Sequence, residues 1–324
     1  HPDHTREWAA SMHAYAADDP VFLAMNARGQ RETQGALGDF CVQCHAPMAL
    51  QTGATTDGLN LGELPQHLKG VTCYFCHSVA WVTGDHNAAL LLANDGVMRG
   101  GIPNPVNNTA HQSAYSPLLD RNDLDSSNLC GACHDIVNSN GVHLERTFAE
   151  WKETVFAQDT PARQTCGHCH LRGKDGLAAD SPGVFLRRVH DHSMVGVDVA
   201  LTTWPDIEGQ TIATQEFLDS TVNTRLCVNP GLGGGVELVV RLENVAAGHK
   251  WPSGAGQDRR GWVELMAYQG ESEIFFPDPQ GFFLGPTRPD TFWILFGSVL
   301  DPTRRHTNPN LRRKGDFERH TFFI

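Results

Sequence analysis

The sequence predicts an α+β fold, with short helices and loops over residues 1–205 and a β-sandwich-like C-terminal domain over residues 206–324. Three observations predict it. Eight of the nine cysteines lie before residue 170, in four copies of one short motif. Glycine and proline are abundant, at 32 and 18 residues, so long stretches must be turn and loop. Past about Pro205 the apolar residues begin to alternate, as they do in strands with one buried face.

In the first region, residues 5–17 read as a helix with Trp8, Met12 and Tyr15 on one stripe, closed by Pro20. Residues 143–158 offer Phe148, Trp151, Val155 and Phe156 at helical spacing, and Thr160-Pro161 ends that stretch. Between them, residues 96–108 are rich in Gly, Pro and Asn and read as loop. In the second region, residues 236–243, 262–268 and 292–296 read as strands. Residues 231–235 and the run Pro277-Asp278-Pro279 read as turns. Residues 321–324 are apolar enough for a strand that the sequence end cuts short.

Composition excludes some classes. With 37 acidic and 25 basic residues the formal charge is −12, which argues against nucleic-acid binding because phosphate needs a basic face. No run of about 18 apolar residues exists, so no membrane span is expected. The first residue is His1 rather than Met, which a removed signal peptide would explain, as would a boundary chosen for expression.

The cysteines decide the chemistry. Cys41-Val42-Gln43-Cys44-His45, Cys73-Tyr74-Phe75-Cys76-His77, Cys130-Gly131-Ala132-Cys133-His134 and Cys166-Gly167-His168-Cys169-His170 are four C-x-x-C-H signatures of c-type haem attachment. Two thiols bond the porphyrin, and the adjacent imidazole reaches the iron. Paired zinc sites would not demand a histidine after every second cysteine, and a disulfide framework would not produce the repeat. Four haem c groups (iron) are therefore expected, bound through Cys41, Cys44, Cys73, Cys76, Cys130, Cys133, Cys166 and Cys169. Their proximal ligands are His45, His77, His134 and His170. The motifs start 32, 57 and 36 residues apart, so the first region is haem-packed and the porphyrins supply the apolar core. Cys227 is left over and reads as a buried apolar thiol. Covalent haem attachment takes place outside the cytoplasm, which puts the protein there too.

Thirteen of the 17 histidines lie outside the motif ends, enough to give every iron a second imidazole. His13 stands beside Ala9, Ala16 and Ala17, small residues that leave room for a porphyrin. His111 ends a Pro/Asn-rich loop before the third motif. His190 and His192 flank Asp191 on an extended segment, and His192 is preferred. The fourth place lies between His249, in a Gly/Pro-bounded loop, and His86; the sequence does not choose. His67, His143 and His168 read as exposed or structural, and Met25, Met48, Met98 and Met194 rank behind the histidines.

These residues resemble a known group. Residues 8–15, 70–78, 110–116 and 129–135 are similar to segments of bacterial and archaeal multihaem c-type cytochromes, especially tetrahaem proteins, some of which form extracellular filaments. Residues 247–254 and 259–265 look like a motif of the β-domain in such proteins. The resemblance implies bis-His haems stacked in a line, with a histidine of one subunit able to complete a haem of its neighbour; His13 would suit that role. Function is then expected to be extracytoplasmic electron transfer rather than catalysis, on the extracellular or cell-surface side ahead of the periplasm. Expected partners are other redox proteins or copies of the chain itself, as a homo-oligomer or filament. A multihaem reductase of the nitrite or hydroxylamine type, with one open haem site, is the alternative. A third reading makes the β-domain a binding module.

Overall fold

The computed structural model describes residues 1–106, 110–230 and 236–255, together with strands Arg260–Gln269, Ser272–Phe275, Thr291–Val299 and Glu318–Phe323. The fold is α+β with a helical N-terminal region. The chain divides into two compact units, His1–Thr214 and Gln215–Ile324, and the division falls inside the helix Ile207–Asp219.

In the first unit, residues 5–17 do not form one helix. Helix Pro2–Ala9 stops, and Met12–Tyr15 begins anew. Ser11 is the reason: its hydroxyl donates to the Trp8 carbonyl at 2.7 Å and accepts the Ala14 N–H at 3.3 Å, so it caps a fresh turn. Tyr15 is fully buried; its hydroxyl shares a 2.8 Å hydrogen bond with Thr202 and its ring meets Trp204 edge-on at 4.9 Å. Helix Pro20–Glu32 follows, with Asp19 accepting the Val21 N–H and proline in its first turn.

Two further expectations fail for local reasons. The stretch 143–158 begins as strand His143–Glu145, and only Thr147–Lys152 is α-helix before a 3-10 turn at Val155–Ala157. Asn138 forces this. Its side-chain oxygen accepts the N–H groups of Asn140 and Val142 at 3.0 and 2.9 Å, Gly141 takes φ 76°, and the chain folds back as a hairpin with Ile136–Val137. The stretch read as loop over 96–108 contains strand Val97–Gly100, paired in parallel with Gln112–Tyr115.

One buried apolar cluster of this unit comprises Ala17, Phe22, Val42, Ala46, Ala49 and Leu61, with Leu23, Leu50, Leu64 and Leu68 packed against it. Tyr15, Phe75, Val79, Phe148, Trp151 and Val189 are buried outside that cluster.

In the second unit, strands Val222–Pro230 and Val236–Asn244 pair antiparallel in unbroken register, Val222 opposite Asn244 and Pro230 opposite Val236. A separate antiparallel sheet has Arg260–Gln269 between Ser272–Phe275 and Thr291–Val299, with Glu318–Phe323 outermost beside Thr291–Val299. The expected strands at 236–243, 262–268 and 292–296 lie inside these elements, and residues 321–323 are in the last one. The expected turns at 231–235 and 277–279 lie outside the described residues. Cys227 is exposed, not buried. Along its strand Asn223, Arg225 and Cys227 alternate outward with period two, and the thiol follows that parity.

Candidate haem centres

Each motif is built on a short helix. Val42–His45, Cys73–Ser78 and Cys166–His170 hold three of them, and Ser126–Gly131 runs into the fourth. A helical turn brings residues three apart to one side, which is where two cysteines must be to bond one porphyrin edge. Thr72 caps the second motif by accepting the Phe75 N–H at 3.2 Å. Thr165 caps the fourth, and His168 closes a capping box by accepting the Thr165 N–H at 3.1 Å. His168 therefore has the structural role expected of it.

The thiols are arranged neither as disulfides nor as zinc ligands. All nine cysteines are free. Among the described residues, the one group of three or more metal-binding side chains within 4.8 Å of one another is His4, Glu7 and His192, with no cysteine in it. Burial raises the Cys41, Cys73 and Cys169 thiols and pushes Cys76 up to about 12, whereas hydrogen bonds from Cys44 and Cys130 lower Cys133 and bring Cys166 down to about 7.

The motif histidines share one feature. The Nδ1 atom of His45 lies 2.9 Å from the Ala16 carbonyl, that of His77 against the Arg99 carbonyl, and that of His170 2.7 Å from the Val195 carbonyl. His134 instead places Nδ1 3.3 Å from a carboxylate oxygen of Glu145. In the first three cases the carbonyl fixes the N–H on Nδ1 and leaves Nε2 as the free lone pair, the tautomer an iron ligand needs. His134 differs: burial works against protonation, but the hydrogen bond and charge of Glu145 outweigh it and lift the imidazole to about 9, which favours a proton on both ring nitrogens.

The third motif is the hub. The Cys133 thiol sits against that of Cys44, and the Cys130 thiol against that of Cys166, so it adjoins both the first and fourth motifs. Backbone hydrogen bonds fasten it: Phe148 N–H to the His134 carbonyl at 3.0 Å, and Ala88 N–H to the Ala132 carbonyl at 2.6 Å. Ser127, fully buried, accepts the Cys166 N–H at 3.2 Å. Buried Asp135 accepts the Ala149 N–H at 3.1 Å and pairs with Arg146 at 3.5 Å.

Two imidazoles on opposite sides of one metal, each nitrogen about 2 Å from it, put their ring centres about 6 Å apart. Two predicted ligands stand at about that centre-to-centre distance from a motif histidine. His13 lies 6.1 Å from His134 with planes tilted by 56°, and His192 lies 6.4 Å from His77 with planes 19° apart. Burial, reinforced by His134, His170 and His45, pushes His13 down to about 3 and keeps it in the neutral form that binds metal. Its Nδ1 contacts the sulfur of Met194. His192 is likewise lowered by burial, and its Nδ1 lies 2.9 Å from the His190 carbonyl. His190 is pushed down to about 4 by burial and then by the charge of Arg121.

The remaining candidates are elsewhere. His111 is 5.8 Å from His1 with planes 20° apart. His86 is exposed, with its Nδ1 2.9 Å from a carboxylate oxygen of Asp85. His249 belongs to the second unit, half-buried, with its Nδ1 2.7 Å from the Lys250 carbonyl. His67 and His143 are exposed, as expected. Sequence reasoning missed His1, His4 and Glu145. His4 stacks on His192 at 4.5 Å, and its spacing from Glu7, three residues on along one helix, was the available signal. Around His45, the ring found is that of Phe22, parallel to it within 2° at 3.9 Å.

This donor set fits haem c: paired thiols at the start and end of a helical turn, with an oriented imidazole after each pair. When bound, the haems supply one-electron iron chemistry, and the chain's own residues orient the axial imidazoles.

The sequence profile described as Cytochrome c554 and c-prime matches residues 1–78. Among solved structures the chain is similar to a penta-haem cytochrome c552 from Thermochromatium tepidum, at 18% identity and a TM-score of 0.61, over 99% of this chain and 94% of that one. No curated protein sequence matches. The chain thus carries four C-x-x-C-H motifs with oriented histidines in a fold shared with a penta-haem cytochrome.

Proposed function

We propose that the chain transfers electrons outside the cytoplasm through four covalently bound haems, with His13 completing the third-motif iron and His192 the second. The observation that carries this reading is the spacing of the two imidazole pairs, 6.1 and 6.4 Å, around motif histidines whose Nδ1 atoms are already oriented by an acceptor. An iron with two axial imidazoles has no position left for substrate and exchanges electrons only. Partners are then other redox proteins or further copies of the chain. Stacking of copies into a conducting filament follows from the resemblance to filament-forming tetrahaem proteins, and electron micrographs of the purified protein decide it. Intact mass and a pyridine haemochrome assay test the haems, and low-spin spectra with no carbon monoxide uptake by the reduced protein test their ligation.

Two observations favour specific variants of this reading. The ring beside His45 is Phe22 rather than a second imidazole, which favours the first motif as the open site if the protein is a reductase. Carbon monoxide uptake by one haem in four would select that reading over a carrier with His249 or His86 as the ligand. Separately, the similar structure is penta-haem, whereas this chain has four C-x-x-C-H motifs and one further cysteine, Cys227, which favours four haems over five; an iron count per polypeptide tests it.

A further inference from the structure

Of the four motif histidines, three direct Nδ1 to a backbone carbonyl and one to a carboxylate. The difference is built into the fold. Asn138 turns the chain, Ile136 pairs with Glu145 across the hairpin, and the strand end brings Glu145 back beside His134, 11 residues earlier in sequence. The Glu145 side chain is 18% exposed against 52% for that of His134, so water reaches the imidazole more than the carboxylate, and Thr147 donates a second hydrogen bond to the same oxygen at 3.4 Å.

We propose that Glu145 is a positioning residue that tunes the third-motif haem, setting its reduction potential below those of the other haems. A carboxylate accepting the Nδ1–H draws that proton toward itself and gives the imidazole partial anionic character. The ring becomes a stronger donor at Nε2, and a stronger donor stabilises ferric over ferrous iron. A backbone carbonyl, being neutral, does this less. The step affected is the uptake of one electron by ferric iron to give ferrous iron; no bond breaks, and the proton stays within the hydrogen bond. Because the third motif adjoins the first and the fourth, the tuned haem stands in the middle of the relay. There a low potential acts as a barrier that electrons cross between partners on either side.

The inference rests on the haem reading of the third motif, and the test separates the two. In a spectroelectrochemical titration of the haem-loaded protein, Glu145→Gln is expected to move one reduction step upward by about tenfold in the oxidised-to-reduced ratio, about 59 mV for one electron, and the other steps less. One low-spin electron paramagnetic resonance signal should shift with it. Glu145→Asp, which keeps the charge, should return the step toward its parent position. Steps that do not move, or that all move equally as loss of a distant charge would make them, overturn the proposal. Should Glu145→Gln fail to load haem, the parent decides alone: a titration without a step set apart on the low side overturns the proposal. A purified protein without a Soret band would defeat the haem reading itself.

Discussion

The ring centres of His13 and His134 lie 6.1 Å apart although 121 residues separate them in sequence. The first stands on the short helix that Ser11 starts, and the second ends the hub motif. One such contact ties the N-terminal segment to the middle of the first unit. Once an iron joins the two rings, ligand binding and folding of this unit become one process.

His13→Ala is therefore expected to leave one iron in four with a single protein ligand. One quarter of the haem absorbance should turn high-spin and take up carbon monoxide after reduction. His13→Met should keep that iron six-coordinate and raise its potential, since thioether ligation favours ferrous iron more than imidazole does. Unchanged low-spin spectra in the alanine variant would sink the assignment.

Gly70 should tolerate no side chain. Its φ is +69°, and a Cβ there would sit 2.5 Å from the His13 carbonyl oxygen and 2.7 Å from that of Ala14, both backbone atoms that cannot swing aside. The neighbouring Val71 N–H donates to that same His13 carbonyl at 2.8 Å. Gly70→Ala is expected to cost about 1–3 kcal/mol in chemical denaturation, from strain alone. It should also disturb the third-motif spectrum by moving His13, an effect that ordinary loss of stability would not produce.

Acid should weaken the fold before it releases the ligand. His13 is held at about 3 against an ordinary 6.5, so its contribution to stability is complete above pH 6.5 and declines as the pH falls toward 3. The slope approaches about 1.4 kcal/mol per pH unit in that window, because the unfolded chain gains a proton that the folded one refuses. Iron at Nε2 acts in the same direction. Thermal midpoints are expected to fall between pH 6.5 and 4 while the folded protein keeps its low-spin spectrum. Spectral change ahead of unfolding would contradict this.

Sequence carried the attachment chemistry because thioether bonding fixes residue type and spacing locally. Every C-x-x-C-H motif could be read without a fold, and small neighbours and histidine abundance pointed to His13 and His192, whose rings lie 6.1 Å from His134 and 6.4 Å from His77. What sequence did not carry was pairing at a distance. Nothing local distinguishes His111 from His192 as partners, because that choice depends on which motif a loop crosses. Glu145 was hidden by a wrong period: aromatic spacing over 148–156 suggested a helix reaching back to His143, and the stronger Asn138 turn overrode it. The strands of the second unit were legible from alternation, whereas Cys227 was misjudged because composition says nothing of parity.

Within the third motif, Gly131 is set by Phe148. A Cβ at this buried glycine would fall inside the van der Waals envelope of the Phe148 ring, which is 3% exposed and stacks on Trp151 at 5.7 Å, so the ring has little room to retreat. Gly131→Ala is expected to destabilise by about 1–3 kcal/mol through overpacking. Phe148→Leu alone should also destabilise, by leaving space beside the glycine. The two changes together should cost less than their sum, since the added methyl occupies the space the smaller side chain leaves, and residues in direct contact couple in this way. Denaturant midpoints of the parent, both single variants and the double variant measure the coupling. Strict additivity would mean that the helix Ser126–Gly131 and the helix Thr147–Lys152 do not pack as described, and the placement of His134 between them would fall with it.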